Sequence, residues 1–89
     1  MAEAQLNNRV ALVTGGASGI GRASALALAS AGAVIALADI DESGAHAALE
    51  EIVALGGRGI VIRADATEEA EVAAMIERIV AELGGLDIG

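Results

Sequence analysis

The residues best suited to chemistry lie in one octapeptide, "TGGASGIG", Thr14 to Gly21, where four of eight positions are glycine. It follows the apolar run "VALV" and opens onto "RASALALA". A strand that turns through glycines into a helix presents backbone N–H groups without helical partners, at the positive end of the helix dipole. That arrangement suits an anion, and phosphate above all. Gly15 suits a tight turn off the strand, while Gly19 and Gly21 let a diphosphate and the neighbouring strand approach the helix start. Ser18 can donate its hydroxyl to a phosphate or cap the helix. Thr14 can brace the loop through its hydroxyl.

Two kinds of phosphate ligand are separated by the residues that follow. Gly16 and Gly21 have the spacing of a nucleoside-triphosphate loop, but Arg22-Ala23 stands where that loop needs Lys and Ser or Thr, and the chain has no lysine. The cation for the terminal phosphates and the hydroxyl for Mg²⁺ are both missing, which excludes triphosphate hydrolysis. A dinucleotide fits better. Asp39 closes the apolar run "VIALAD" eighteen residues after Gly21, near the ~20 expected of the acid that grips the adenosine ribose. Its carboxylate accepts from both ribose hydroxyls and repels a 2′-phosphate. Like charges ~4 Å apart at an effective dielectric near 20 cost about 4 kcal/mol before relaxation. Neither Ser18 nor Ile40 supplies a compensating cation, so NAD is expected over NADP. The competing role for Asp39 is to cap the next turn.

The elements that must position these groups are legible as alternating periods. Val10–Val13 reads as a buried strand, Ile20 to about Ser30 as a helix stopped near Gly32, and residues 34–39 as a strand covered on both faces. From Glu42 to Leu55 the period is helical, with Ala45, Ala48, Leu49 and Ile52 on one face and Gly56-Gly57 as the stop. Residues 59–65 read as a third strand. Thr67 is placed as an N-cap, and Glu68 and Glu69 follow where the helix dipole favours acids. Val72, Met75, Ile76, Ile79 and Leu83 line one face of a third helix that ends at Gly84-Gly85, and "LDI", 86–88, starts like a fourth strand. Strand–helix alternation of this kind predicts an α/β fold, a parallel sheet with right-handed crossovers.

Composition bounds the rest. The 89 residues carry a formal charge of −8, from 13 acids against five arginines. That balance excludes nonspecific nucleic-acid binding, which needs clustered cations. Phe, Tyr, Trp and Cys are all absent, so neither disulfides nor thiolate chemistry is available. No apolar run reaches the ~20 residues of a membrane span, and the start of the chain has no secretory pattern. A cytoplasmic protein is the expectation. His46 is expected to be exposed, Met75 to be core, and Arg22 to be a solvated first-turn residue. Glu68, Glu69 and Glu71 diverge around a helix, so no metal site is expected.

With those residues in view, the chain resembles the short-chain dehydrogenases/reductases of the so-called classical type. "TGGASGIG" matches their T-G-x-x-x-G-x-G loop, Asp39 and "RADAT" follow in order, and the likeness runs from about Asn8 to Ile88. The resemblance implies half of a Rossmann-type doubly wound parallel sheet, β-α-β-α-β-α plus a short fourth-strand stub. It also implies that Asp65, with the backbone N–H of Ala66, touches the adenine; read alone, Asp65 is equally a turn former ahead of Thr67. The expected cofactor-binding set is Gly15, Ser18, Gly19, Ile20, Gly21, Asp39, Ile40, Asp65 and Ala66.

The departure from the family lies at the end. Its fourth strand reads like "LDILVNNAG", whereas "LDI" here is followed by Gly89 alone. The family's catalytic Ser, Tyr and Lys fall later, and this stretch has no Tyr and no Lys, so no catalytic residue is expected among residues 1–89. The expectation is a partial NAD-binding domain, cut at the start of the fourth strand, of an oxidoreductase that exchanges hydride between a nicotinamide and an alcohol or carbonyl. The alternative is a non-catalytic dinucleotide-binding or partner-docking module. In either case the first strand is expected to be a nearly open sheet edge. Self-association, or a complementary chain, would cover it.

Overall fold

The computed structural model describes residues 6–65 and 67–88. Its elements are β1 (Val10–Thr14), α1 (Gly19–Ser30), β2 (Val34–Asp39), α2 (Glu42–Ala54), β3 (Arg58–Arg63) and α3 (Glu69–Leu83). The three strands form one parallel sheet in the order β1-β2-β3. β2 is therefore central, which is why "VIALAD" carries apolar residues at consecutive rather than alternate positions: five of its six residues are buried.

Alternation along β2 sorts the helices. Ile35 and Leu37 face a layer containing Ala25 and Ala29 of α1 and Ala45, Ala48 and Ile52 of α2. Ala36 and Ala38 face the opposite layer, with Ile62 of β3 and Met75 and Ile79 of α3. So the first two helices share one face and α3 covers the other, as right-handed crossovers require when the third returns past β1. Alanine at most helix contacts lets backbone approach backbone. The large, fully buried side chains are Ile35, Leu37, Ile52 and Ile79.

Residues 86–88 lie on the far side of β1. Ile88 bridges Ala11 in parallel. Leu12 N–H donates to the Ile88 carbonyl at 2.8 Å, Ile88 N–H donates to the Val10 carbonyl at 3.0 Å, and Val10 N–H donates to the Asp87 carboxylate at 2.8 Å. The edge of β1 expected to be nearly open is thus paired from Val10 to Leu12 by residues 87 and 88.

Several boundaries and roles differ from the sequence reading. β1 runs on to Thr14, α2 ends at Ala54, and β3 spans Arg58–Arg63 rather than 59–65. Thr67 does not cap α3: the N-cap is Glu68, without a side-chain cap bond, and Thr67 instead donates to Asp65. Ile76 is 38% exposed, off the buried Met75–Ile79 stripe, because one position on a helix turns a side chain by about 100°. His46 is exposed beside Glu42, and Met75 is buried. Asp41, which the sequence reading passed over, caps α2 by accepting the Gly44 N–H at 3.0 Å.

Candidate functional site

Parallel strands bring their carboxyl ends to one edge. Here that edge collects the β1–α1 loop, the β2–α2 turn and the β3–α3 segment. The chain leaves β1 toward β2 and β3, then returns to place Ile88 on β1's other side, so the topological switch falls at the end of β1. Open α/β sheets take ligands at such a point. The glycine loop occupies it.

Packing sets the shape of the loop. Gly15, at φ +67°, turns the chain, and its N–H continues the sheet ladder by donating to the Ala38 carbonyl at 2.8 Å. Gly16 is buried; a Cβ there would strike the end of the Leu37 side chain. Gly21 seats α1 directly against the loop, since a Cβ would overlap the Gly15 carbonyl. Gly19, at φ +62°, has open space where a side chain would stand. Ser18 precedes the helix in extended conformation, and its hydroxyl makes no capping bond. The first helical turn closes with Arg22 N–H donating to the Ser18 carbonyl at 3.3 Å, so the amides of Gly19, Ile20 and Gly21 precede the intrahelical ladder. The Thr14 hydroxyl, expected to brace the loop, has no hydrogen-bond partner among the described residues.

Asp39 joins two of these segments. One carboxylate oxygen accepts the Ala17 N–H at 3.0 Å, and the other accepts the Asp41 N–H at 2.9 Å. One half-buried side chain thus caps the β2–α2 turn and ties it to the glycine loop. An ionised carboxylate has about four acceptor positions, so two remain for hydroxyl donors. Ile40, beside it, is 56% exposed, and Ile20 on the first turn of α1 is 86% exposed. Two large apolar side chains thus stand exposed at this edge, one following Asp39 in the chain and one on the first turn of α1.

The third segment is organised around Asp65. Its carboxylate accepts the Thr67 hydroxyl at 2.6 Å and the Thr67 N–H at 2.9 Å, and these bonds hold its pKa below the usual aspartate value. Its own N–H donates to Glu71 at 2.9 Å. Ala66 lies outside the described residues.

Arg22 is not the solvated residue the sequence suggested. Its guanidinium is paired with Glu51 of α2, the Nε–H donating at 2.9 Å. Neither this pair nor the Asp39–Ala17 bond is readable from spacing, because both cross between elements. Gly16 was open to sequence reasoning as half of a glycine doublet, but its contact with Leu37 depends on how the loop lies over β2. Among the described residues no three His, Cys, Asp or Glu side chains converge on a metal position. None of the helices described is long and apolar enough to cross a membrane. A concavity of about 380 Å³ lies at the opposite, amino edge, lined by Asn7, Asn8, Gly57 and Arg58 among others. It is where α1 and α2 end, so it lacks the free helix amides of the loop.

The donor set of the loop and the space above Gly19 fit a diphosphate, and the free acceptor positions of Asp39 fit a ribose. Comparison with known proteins places the chain in a family. A family model described as short chain dehydrogenase matches residues 9–88. A short-chain dehydrogenase/reductase of Armillaria gallica is 52% identical over 82 residues, covering 90% of this chain and 31% of the relative. A short-chain type dehydrogenase/reductase from Mycobacterium marinum superposes with TM-score 0.90 at 38% identity, covering 94% of this chain and 34% of that one. A 7α-hydroxysteroid dehydrogenase, solved with NADH and 7-oxoglycochenodeoxycholic acid, superposes with TM-score 0.90 at 34% identity, covering 96% and 33%. The chain belongs to the short chain dehydrogenase family. It spans about a third of the length of the relatives it matches and corresponds to their N-terminal, cofactor-binding part. The family binds a nicotinamide dinucleotide.

Proposed function

We propose that residues 14–66 hold NAD, in preference to NADP, for a hydride transfer between nicotinamide and an alcohol or carbonyl substrate. The amides of Gly19, Ile20 and Gly21 and the Ser18 hydroxyl take the diphosphate, with Gly15 shaping the turn. Asp39 takes the adenosine ribose, Ile20 and Ile40 flank it with apolar surface, and Asp65 with Ala66 takes the adenine. The bound nicotinamide supplies hydride acceptance and donation. This stretch supplies binding, since it carries no tyrosine or lysine for proton transfer.

The observation that carries the preference is the Asp39 carboxylate, fixed by the Ala17 and Asp41 amides at the end of the central strand. As an acceptor it suits a ribose diol and opposes a phosphate. Calorimetric titration of the full-length protein with NAD and NADP tests it. The expected result is tighter binding of NAD, with the difference reduced by Asp39→Ala. Equal affinity for the two in the unaltered protein overturns the preference. A second reading, as a docking module, draws on Ile76 and Val80, which stand exposed on the outer face of α3; self-association in the absence of any dinucleotide binding would favour it.

A further inference from the structure

The chain has five cations, all arginine, and the fold commits four of them away from the ribose position. Arg9 precedes β1 at the amino edge. Arg58 begins β3 at that same edge and donates to Asn8 at 2.9 Å. Arg78 is paired with Glu82 along α3, and Arg22 with Glu51 between α1 and α2. The fifth, Arg63, ends β3 at the carboxyl edge and is the register partner of Asp39. It is exposed and forms no ion pair among the described residues. Partners in adjacent parallel strands stand about 4.8 Å apart and carry their side chains on the same face. The next residue, Ala64, ties the two strand ends together by donating to the Asp39 carbonyl at 3.3 Å. The register therefore places a long cationic side chain, with no ion pair among the described residues, on the strand position next to the carboxylate proposed to read the ribose.

We propose that Arg63 is a second specificity-determining residue of the dinucleotide site. It offsets part of Asp39's repulsion of a 2′-phosphate and is the cation a phosphorylated ribose would use. This rests on the reading of Asp39 above and goes beyond it: the selectivity is set by a charge pair across two strands, not by the acid alone. Asp39 dominates because loop and turn amides fix it in place, whereas Arg63 has no ion pair among the described residues to fix it.

Calorimetric titration of the full-length protein with NAD and with NADP, on the unaltered protein and three variants, tests the pair. Asp39→Asn is expected to raise NADP affinity relative to NAD. Adding Arg63→Ala to that background is expected to remove about three- to tenfold of the NADP gain while moving NAD affinity less than about twofold. Arg63→Lys in the same background is expected to keep most of the gain, and raised salt to shrink it. An Arg63 that merely guards a sheet edge would change stability but not the ratio of the two affinities. If Arg63→Ala leaves that ratio unmoved in the Asp39→Asn background, the role of Arg63 is overturned while that of Asp39 stands. If the unaltered protein binds neither dinucleotide, both fall.

Discussion

The Asp39 carboxylate accepts the Ala17 amide at 3.0 Å, a bond between the end of the central strand and the middle of the glycine loop. The side chain proposed to meet the ribose is thus also a fastening of the loop proposed to meet the diphosphate. Removing it should do two things. Asp39→Ala should weaken dinucleotide binding, and it should destabilise the fold by about 1 kcal/mol through the amides left without an acceptor. Faster hydrogen exchange at Ala17 in the unliganded variant is the signature of the fastening role. Unchanged exchange there would leave Asp39 with the ribose role only.

The glycines of the loop should differ sharply in tolerance. Gly21→Ala drives a methyl into the Gly15 carbonyl, and backbone on both sides cannot yield. A loss of about 3 kcal/mol and of binding is expected. Gly19→Ala meets no atom but must hold φ near +62°, which costs about 1–2 kcal/mol. Urea unfolding of the two variants orders them; a Gly19 variant less stable than the Gly21 variant would contradict the packing described.

Arg22 should be dispensable for cofactor affinity because its guanidinium is turned to Glu51. Arg22→Ala is expected to change NAD affinity less than about twofold. With both side chains more than a third exposed, the ion pair contributes no more than about 0.5 kcal/mol to stability, and less in high salt. A tenfold loss of affinity would place Arg22 on the phosphate after all.

Asp65 gives a pH dependence with a defined sign. Its pKa is lowered in the fold, first by the Thr67 hydroxyl and then by the Thr67 amide. A depressed folded pKa means a contribution that is present above the unfolded value, near 3.8, and is lost as pH falls through the folded one. Thr67→Ala should move the Asp65 carboxyl titration, followed by ¹³C NMR, back up toward that value. No movement would show that the hydroxyl is not the main cause.

On α3, Ile79 is fully buried and Ile76 is not. Ile79→Ala should cost about 3 kcal/mol and Ile76→Ala less than about 1 kcal/mol. Thermal unfolding followed by circular dichroism measures both, and similar losses would mean that the helix is rotated from the orientation described.

The contrast between those two isoleucines shows where sequence reasoning stops. The apolar period of α3 was plain, yet it placed Ile76 inside, because a stripe four residues wide on paper is narrower on a helix pressed against small residues. The order of strands and helices was readable since each has its own period and glycine stops. The places of the glycine loop, between β1 and α1, and of Asp39, at the end of β2, were readable because residue type and short spacing mark them. The Asp39–Arg63 pairing was not, since register is settled by packing across strands twenty-four residues apart. Thr67 looked like a cap by type; Asp65 takes its hydroxyl and amide instead, and a side chain with two good local partners cannot be assigned from sequence alone.

Because Gly21 lets α1 seat against the Gly15 carbonyl, the loop is assembled before anything arrives. A diphosphate at the proposed site would find its donors already aimed and would cost the chain little ordering entropy. Affinity differences among loop variants should then appear mainly in how long the ligand stays, while its rate of arrival is left to diffusion and to the acidic surface around it.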